Sequence, residues 1–438
     1  MDNKGITKLS VGGFKSIGEE TTLDIKPLTL LGGANSSGKS SFMQPLLMLK
    51  QTLEVTYEPG LPLVLDGGNV KFTSVDQFFT KIGGDTPEKF SVGVYSSTHW
   101  FKTVFGKTEQ ENKRLVVESN EFPDPLTKTD VVIRASMTEE EMQKVCKNSR
   151  LAGVAHRYEP TFADFYIANV KFFLGICRNS KDSCARFSAE YGWNVENIVY
   201  AIHLPGLRGN PERAYTAKGT GPRFPGIFDG HYAASIIENW ESTKNTKKLE
   251  TLCRHLEMLG LTSKITARRI NAVAIEVLVN RLPKNGRSKT DMVNIVDVGF
   301  GVSQIFPVLV ALLVAEPGQL VYFEQPEIHL HPKAQKALAS VLVDAANRGV
   351  KVVAETHSSM LLLAVQTLIA KGEANGGIDH NNVAMHWFER DKDGMSKVST
   401  AELDDAGRFG KWPVDFGKEE LGAGGEYLDA VAKRKSVK

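Results

Sequence analysis

The segment Gly33-Ala-Asn-Ser-Ser-Gly-Lys-Ser40 decides the fold of this chain, because it satisfies the pattern GxxxxGK[ST] in full. Apolar residues from Pro27 to Leu31 predict a buried strand before it, and an apolar face over Lys39–Val55 predicts a helix after it. Glycines at both ends let the loop curl, so that backbone N–H groups and the helix amino terminus point at phosphate oxygens. The segment is therefore predicted to be a P-loop that binds a nucleotide.

All but one of the positions of this loop have a predicted role in binding ATP and Mg²⁺. Lys39 is expected to bridge the β- and γ-phosphates, and Ser40 is expected to give an oxygen to Mg²⁺. The other predicted ATP contacts are Gly33, Asn35, Ser36, Ser37, Gly38 and Ser41. The alternative is a chance Gly/Ser loop, and the flanking strand and helix argue against it.

A second glycine-rich segment, Val298-Gly-Phe-Gly-Val-Ser-Gln304, lies between a predicted strand, Met292–Val298, and a predicted helix, Ser303–Ala315. Ser303 is expected to cap that helix, where free amides and one hydroxyl form another anion site. The predicted contacts are Gly301, Ser303 and Gln304. An ordinary glycine turn with a serine cap is the alternative.

The apolar strand Leu320–Glu324 ends in a carboxylate and is followed by Gln325. A buried strand that delivers an acid beside a P-loop predicts Glu324 as the second Mg²⁺ ligand, with Ser40; a salt bridge at the strand end is the alternative. Glu324 and Gln325 are the predicted catalytic pair, but an amide can orient water and cannot accept its proton. Either hydrolysis is slow, or its base comes from elsewhere, with Glu327 the weaker candidate.

Histidines follow two of the predicted strands. His357 comes after the strand Val350–Ala354 and is a predicted catalytic residue that can hydrogen-bond the γ-phosphate or the attacking water. A satisfied imidazole at a capped strand end is the alternative. His329 and His331 alternate in an extended segment and could converge on zinc. A polar segment leading into a helix that begins at Pro332 is favoured over that zinc site.

Composition indicates an ordinary globular protein of 438 residues, with 42% hydrophobic and 24% charged residues. The longest apolar run, Ile305–Ala315, is shorter than the roughly 20 residues that cross a bilayer, and the first residues have no secretory pattern. A cytoplasmic location without membrane contact is expected. Four scattered cysteines without a CxxC pair argue against zinc or a disulfide framework. A net charge of +2 neither favours nor excludes nucleic acid.

The order of the patterns predicts a nucleotide-binding domain that is split in the sequence. Residues 1–135 hold the P-loop and a β-rich subdomain, and residues 291–400 hold the second glycine-rich segment, the acidic strand and His357. Residues 136–290 are predicted to be a mainly helical insertion, and residues 401–438 a C-terminal tail. The two halves are expected to share one sheet.

These motifs together resemble the ATPase heads of the ABC/SMC/RecF superfamily, and most closely the bacterial AAA-type ATPases that accompany OLD nucleases and anti-phage systems. Residues 27–40, 296–304, 324–332 and 355–358 carry the resemblance, together with a tail, 403–416, that is similar to a short domain of unknown function. The likeness is specific over roughly residues 6–50, 290–360 and 398–416 and does not extend in detail to the insertion. It implies an α/β fold: an ABC-type head with a P-loop mixed sheet, flanking helices, an N-terminal antiparallel β-subdomain and a mainly helical insertion.

The resemblance also implies roles for two of the segments. Val298–Gln304 looks like the ABC signature, which contacts the γ-phosphate of the partner subunit's ATP, although it departs from the common Leu-Ser-Gly-Gly-Gln form. Glu-Gln-Pro-Glu from residue 324, in place of Asp-Glu, looks like a feature of a subgroup of such ATPases. An ATPase, with weak turnover because of Gln325, is the implied enzyme.

The implied function is an ATP-binding subunit of a bacterial anti-phage complex. Two chains, or a higher oligomer of dimers, would pair head to tail around ATP and regulate a partner nuclease of the HNH or toprim type. Septu, some retrons and PARIS use such ATPases. The alternative is an SMC/RecF-like repair or recombination ATPase that acts directly on DNA.

Three sets of polar residues are relevant to these alternatives. A DNA-binding face would use Arg268, Arg269, Arg281, Lys284, Arg287 and Lys289, although a solvated charged surface is favoured. Nuclease activity in the chain itself is disfavoured, because Asp391 and Asp393 are predicted to form a hairpin turn. In the Gly/Pro-rich stretch Leu207–Tyr215, Arg208 and Arg213 could reach phosphate or an acidic partner, or form structural salt bridges.

Overall fold

The computed structural model describes residues 5–56, 61–81, 89–108, 114–124, 129–148, 165–179, 184–188, 195–281 and 291–410. Its strands are β1 Ile6–Gly12, β2 Thr21–Asp24, β3 Leu28–Gly33, β4 Lys89–Ser96, β5 Trp100–Lys107, β6 Leu115–Pro123, β7 Asp130–Arg134, β8 Phe165–Val170, β9 Phe173–Asn179, β10 Cys184–Ser188, β11 Ile202–Leu204, β12 Tyr215–Thr216, β13 Ile265–Arg269, β14 Ala274–Asn280, β15 Met292–Asn294, β16 Leu320–Glu324, β17 Lys351–Glu355, β18 Val383–Arg390 and β19 Ser396–Thr400. Its α-helices are α1 Lys39–Glu54, α2 Glu139–Asn148, α3 Glu196–Val199, α4 Gly230–Ser242, α5 Thr246–Met258, α6 Phe300–Val314, α7 Pro332–Asn347 and α8 Ser359–Lys371.

The central sheet has the strand order β11–β16–β17–β3–β18–β19. The P-loop strand β3 pairs in parallel with both β17 and β18, so strands from the two halves of the sequence lie side by side. At one edge β19 pairs antiparallel with β18, which makes the sheet mixed. The α/β class and the sheet shared by both halves are therefore confirmed.

A second, antiparallel sheet follows the order β2–β1–β4–β5–β6–β7. Its core is rich in phenylalanine; the rings of Phe90 and Phe105 stack at a centroid distance of 4.7 Å, and Phe14 lies 5.6 Å from Phe90. Burial of several large aromatic rings is a strong hydrophobic contribution to such a small sheet. The predicted N-terminal β-subdomain is thus present.

The two faces of the central sheet are covered by different elements. Side chains alternate along parallel strands, so Leu31 and Tyr322 pack with α1 and the antiparallel sheet. Leu30 and Phe323 point the other way and pack with α4 to α8. The helix after the P-loop and the helix after the second glycine-rich segment therefore lie on opposite faces.

The prediction of a mainly helical insertion over residues 136–290 is wrong for the part that the structure describes. Strands β13 and β14 form an antiparallel hairpin there, and Ile275, Val277 and Val279 are buried at every second position. β11, from the same segment, pairs in parallel with β16 of the central sheet. The hairpin follows two amphipathic helices, α4 and α5, whose helical period dominates the hydrophobic pattern of this segment.

The chain between β14 and α6 also differs from its prediction. β15 ends at Asn294, whose side chain accepts a hydrogen bond from Val296 N at 3.2 Å and starts a short 3₁₀ turn, Ile295–Asp297. The strand predicted to reach Val298 is therefore shorter. Among the helices within the described ranges, none combines the length and apolar character that a membrane crossing requires.

Candidate nucleotide site

The P-loop turns sharply between β3 and α1. Gly33 and Gly38 have φ angles of 135° and 113°, in the region that favours glycine. A Cβ atom on Gly33 would lie 2.1 Å from the carbonyl oxygen of Phe388, and one on Gly38 would lie 2.2 Å from Ser396 Oγ. Both glycines of the motif are therefore required by the backbone angles and by close neighbours. Asn35 and Ser36 are exposed.

The β18–β19 hairpin holds this loop in place. Arg390 Nε donates to the carbonyl of Ser36 at 2.7 Å, and Ser396 Oγ donates to the carbonyl of Ser37 at 2.6 Å. The turn itself is as predicted, because Asp391 Oδ1 accepts hydrogen bonds from Asp393 N and Met395 N. The sequence pattern predicts the turn, whereas no local pattern encodes the two contacts to the P-loop.

Lys39 lies over the loop that precedes it. Its Nζ donates to the carbonyls of Gly33 and Ala34 at 2.9 and 2.7 Å. Burial lowers the pKa of Lys39 to about 8, and the nearby carboxylates of Glu355 and Glu327 oppose that shift. The ammonium is thus close to the backbone that would surround phosphates, and to two acidic groups.

Ser40 contacts a carboxylate that the sequence analysis did not assign. Its Oγ donates to Glu355 Oε2 at 2.8 Å, and the hydroxyl of Tyr322 donates to Glu355 Oε1. Glu355 is only 3% exposed, and burial raises its pKa to about 7, against the hydrogen bonds from Tyr322 and Ser40. The Glu-Thr-His-Ser motif is evident in the sequence, but no local pattern predicts that its first residue, Glu355, faces the P-loop.

Glu324 lies next to Glu355 in strand register, and its side chain contacts a different group. Its Oε1 is 3.4 Å from His203 Nε2, and its Oε2 accepts a hydrogen bond from Gly206 N at 3.4 Å. The His203 ring stacks on Tyr322, and burial lowers the pKa of His203. Magnesium binding by Ser40 and Glu324 together stays a prediction.

Glu327 is hydrogen-bonded to the segment that contains His357. Its Oε1 accepts hydrogen bonds from Thr356 Oγ1 at 2.6 Å and from His357 N at 3.0 Å. Burial and the charge of Lys39 lower the pKa of His357, whereas a hydrogen bond with the backbone of Gly33 raises it. The predicted His357 is thus brought to the P-loop, as the sequence order suggested.

The second glycine-rich segment starts its helix earlier than predicted. α6 begins at Phe300 with Gly299 as N-cap and without a side-chain cap, so the prediction that Ser303 caps the helix is wrong. Ser303 Oγ donates instead to the carbonyl of Phe300 at 2.7 Å, within the first turn. Ser303 and Gln304 are buried, and Gly301 is partly buried. The surface at the helix start is formed by Gly299 and Phe300.

The two arginines of the Gly/Pro-rich loop have different contacts. Arg213 forms an exposed ion pair with Asp297 at 2.7 Å, which is a structural salt bridge. Arg208 is largely buried and donates to the backbone carbonyls of Glu324 and Gln325 at 2.9 and 3.1 Å. Its Nη groups are therefore bonded to the protein itself, next to the acidic strand.

The donor groups around Ser40 fit magnesium chemistry. Mg²⁺ prefers oxygen ligands and is usually held by one or two protein groups together with substrate phosphates. Ser40, Glu355 and Glu324 supply such oxygens, and Ser37 Oγ at the same loop is buried without a hydrogen-bond partner in the described chain. No group of three or more His, Cys, Asp or Glu residues in the described ranges is arranged to bind a metal.

His329 and His331 have separate contacts. The His329 ring packs edge-on against Phe300 at a centroid distance of 4.9 Å. His331 is the N-cap of α7, where its Nδ1 accepts a hydrogen bond from Lys333 N at 3.3 Å. The favoured interpretation, a polar segment that leads into the helix beginning at Pro332, agrees with these contacts.

The basic residues considered for DNA binding are paired with acids wherever the structure describes them. The pairs are Arg268 with Glu276, Arg269 with Glu238 and Arg281 with Asp291, all at the surface. Lys284, Arg287 and Lys289 lie outside the described residues, as do residues 412–416 of the tail. The solvated surface that the sequence favoured is consistent with these pairs.

Comparison with known families matches residues 196–364 to the family described as an AAA domain, putative AbiEii toxin, Type IV TA system. The match includes α6, the acidic strand and His357. Among curated proteins, the chain is similar to the Old nuclease of Escherichia phage P2, with 20% identity over 403 residues. That alignment covers 82% of this chain and 57% of the nuclease, so the chain spans little more than half of the relative.

Solved structures similar to this chain include two SMC heads. One is an SMC head bound to the C-terminal winged-helix domain of ScpA, with 14% identity and a TM-score of 0.42, covering 92% of this chain and 99% of that one. The other is the SMC head domain from Thermotoga maritima, with 10% identity and a TM-score of 0.36, covering 91% and 100%.

Proposed function

We propose that this chain is an ABC/SMC/OLD-like ATPase of the defence-type branch and acts as an ATP-gated subunit of a bacterial anti-phage complex. Two copies pair head to tail around ATP. The start of α6 of one copy then meets the γ-phosphate bound at the P-loop of the other. This pairing changes the activity of a partner nuclease or similar effector.

The position of α1 and α6 on opposite faces of the central sheet is the observation that supports pairing. Within the described chain, hydrogen bonds and ion pairs join the P-loop to β17 and to the β18–β19 hairpin, and none joins it to residues 299–304. Free amides at the exposed start of α6 are an anion site that its own P-loop does not use. In this proposal the phosphate that binds at the start of α6 belongs to the ATP of a second copy.

ATP and Mg²⁺ would be held by groups already close together. Loop amides and Lys39 bind the phosphates, while Ser40 and the adjacent carboxylates, Glu355 and Glu324, provide oxygens for the ion. Bound Mg²⁺ supplies positive charge that neutralises the phosphates. Because the hydroxyl of Ser40 donates a hydrogen bond to Glu355, the lone pairs of its oxygen are left to face the ion.

Slow hydrolysis is part of the proposal. Gln325 follows the acidic strand, and its amide can orient water without accepting a proton. Glu327 is the nearby carboxylate that is hydrogen-bonded to the His357 segment, and we propose it as the proton acceptor of the residual reaction. A nucleotide that persists keeps the dimer closed, as suits a switch better than a motor.

The test of the proposal is ATP-dependent pairing of the wild-type chain and Lys39→Ala, measured by light scattering with Mg²⁺ present. Wild type is expected to change from monomer to dimer, whereas Lys39→Ala binds ATP at least about tenfold more weakly and stays unpaired. Lys8→Ala is the matched control, because Lys8 forms only an exposed ion pair with Asp24. Unchanged ATP affinity and unchanged pairing in Lys39→Ala would contradict the proposal.

The nuclease partner rests on similarity to the Old nuclease, whose name states that activity. Direct action on DNA is the competing function. Purification of the chain together with the products of its neighbouring genes distinguishes regulation of a partner nuclease from direct action on DNA. A nuclease that copurifies and responds to ATP supports the defence role, whereas DNA-stimulated ATP hydrolysis by the chain alone contradicts it.

A further inference from the structure

Arg208 lies in the loop after β11 and donates hydrogen bonds to backbone carbonyls of two other segments. Its Nη2 reaches the carbonyls of Glu324 and Gln325, at 2.9 and 3.1 Å. Its Nη1 reaches the carbonyl of Gln304, in α6, at 3.3 Å. One guanidinium therefore joins the turn after the acidic strand to the helix that starts at the second glycine-rich segment.

Gln304 strengthens this connection from the side of α6. Its Nε2 donates to the carbonyl of Gly209 at 2.8 Å, in the same loop as Arg208. Gln304 is 3% exposed, so both contacts are shielded from water. Loop and helix thus exchange hydrogen bonds in both directions, which fixes their relative position more firmly than one contact would.

The turn that Arg208 holds is conformationally unusual. Gln325 has a φ angle of 43°, in the left-handed region that is unfavourable for residues other than glycine. Its N–H donates to the carbonyl of Glu355 at 2.9 Å, and its carbonyl accepts from Arg208. These two contacts hold the turn between Glu355, which faces the P-loop, and Arg208, which is bonded to α6.

The buried position of Arg208 also distinguishes it from Arg213. Burial lowers the pKa of Arg208 to about 10, with Glu327 and Glu324 favouring the charged form, so the side chain is charged at neutral pH. A buried charge is costly unless it is hydrogen-bonded, and here the two Nη groups make such bonds, whereas Nε is buried without a partner in the described chain. Arg213, five positions later, is exposed and pairs with Asp297.

We propose that Arg208 is a positioning residue that couples the Glu324–Gln325 turn to the start of α6. A shift of the turn when nucleotide binds would move Gln304, and with it the helix that meets the ATP of a second copy. The effect on the ATP of a second copy rests on the proposed function, whereas the connection that Arg208 makes between the turn and the helix does not. Lysine cannot replace arginine here, because one ammonium cannot reproduce the planar array of donors that spans these carbonyls.

The test compares wild type, Arg208→Lys and the matched control Arg213→Lys. Backbone amide hydrogen exchange is measured with and without ATP and Mg²⁺, alongside ATP affinity, pairing and melting temperature. In Arg208→Lys we expect exchange about tenfold faster in both residues 300–306 and residues 325–330, with ATP affinity within about threefold of wild type. ATP-dependent pairing is expected to weaken at least about tenfold, and Arg213→Lys is expected to change none of these.

Faster exchange confined to residues 205–212 would overturn the proposal, because Arg208 would then hold only its own loop. Unchanged exchange in the turn and the helix would overturn it as well. If wild type does not pair with ATP, the proposed function fails, and the exchange comparison still decides on Arg208. Should Arg208→Lys not fold, Gln304→Ala provides the same measurement from the α6 side, and unaltered exchange at 325–330 contradicts the coupling.

Discussion

The helices α1 and α6 begin alike but are surrounded differently. Each has a glycine N-cap without a side-chain hydrogen bond, Gly38 and Gly299, and each contains a proline, Pro45 and Pro307. The start of α1 is enclosed by the P-loop, the β18–β19 hairpin and a buried carboxylate. The start of α6 is exposed at Gly299 and Phe300.

This difference explains why one motif fits its pattern more strictly than the other. Gly33 and Gly38 combine positive φ angles with neighbours about 2 Å from any added Cβ, so other residues are excluded there. Gly299 has a φ angle of −59° and nothing within 4 Å of an added Cβ. The P-loop is therefore closely constrained by its neighbours, whereas the start of α6 is a permissive surface, as the proposed contact with another molecule requires.

The largest expected effect concerns Glu355, the carboxylate against the start of α1. Burial raises the pKa of Glu355 from 4.5 to about 7, so the folded protein keeps a proton that the unfolded chain has released. Its contribution therefore makes the free energy of unfolding fall as pH rises from about 4.5 to about 7, by up to about 3 kcal/mol. Glu355→Gln, which cannot ionise, is expected to lose this part of the slope in urea unfolding at a series of pH values with EDTA.

Glu324→Gln is the matched control for this experiment, because Glu324 lies beside Glu355 in strand register. It retains the buried Glu355 and removes only the charge of Glu324, which is a smaller cause of the raised pKa than burial, so it should keep most of the pH-dependent fall. Equal slopes in wild type and Glu355→Gln would contradict a buried, protonated carboxyl at the P-loop.

A smaller effect is expected when the two glycines are exchanged for alanine. Gly33→Ala forces a Cβ to 2.1 Å from the carbonyl oxygen of Phe388 at a positive φ angle, a strain of about 1–3 kcal/mol. Calorimetric ATP titration should show affinity about tenfold to a hundredfold weaker, as that strain predicts. Gly299→Ala should leave ATP affinity unchanged. Equal losses in both variants would remove the distinction between the enclosed and the exposed helix start.

The sequence was sufficient where local geometry imposes the residue type. The full P-loop pattern, with an apolar strand before it and an amphipathic helix after it, predicted α1 from Lys39 correctly. The acidic strand Leu320–Glu324 was predicted with its observed bounds. In both places backbone conformation, periodicity and burial agree, so one pattern determines the outcome.

The remaining contacts depend on partners far away in the sequence. Glu355 faces Ser40 only because β17 lies next to β3, and Arg208 reaches Gln304 and Glu324 across about a hundred residues. No periodicity encodes such pairs. The start of α6 was misplaced for a local reason, because Gly299 and Gly301 suggested a turn, although Gly301 lies inside the helix.

Phe300 tests whether the exposed start of α6 is an interface. It is 39% exposed and packs edge-on against His329, so Phe300→Asp should cost the fold little. We expect unchanged ATP affinity and pairing weakened by about 1–2 kcal/mol, since a charge would enter the apolar contact. Met360→Asp, at a similarly exposed position on α8, is the control. Pairing that survives Phe300→Asp, measured by analytical ultracentrifugation with ATP, would place the interface elsewhere.

The smallest effect is expected at the basic surface on β13, where ion pairs of the arginines with acidic residues predict no nucleic-acid contact. Arg268 and Arg269 already pair with Glu276 and Glu238, so the positive charge available to phosphates is reduced. Reversal of both arginines to glutamate should leave ATP-dependent pairing unchanged and alter DNA affinity in low salt by less than about threefold. Fluorescence anisotropy with a short duplex at several salt concentrations measures this. Strong, salt-dependent binding that the reversal abolishes would show that the chain acts on DNA directly, and the repair function would then replace the defence role.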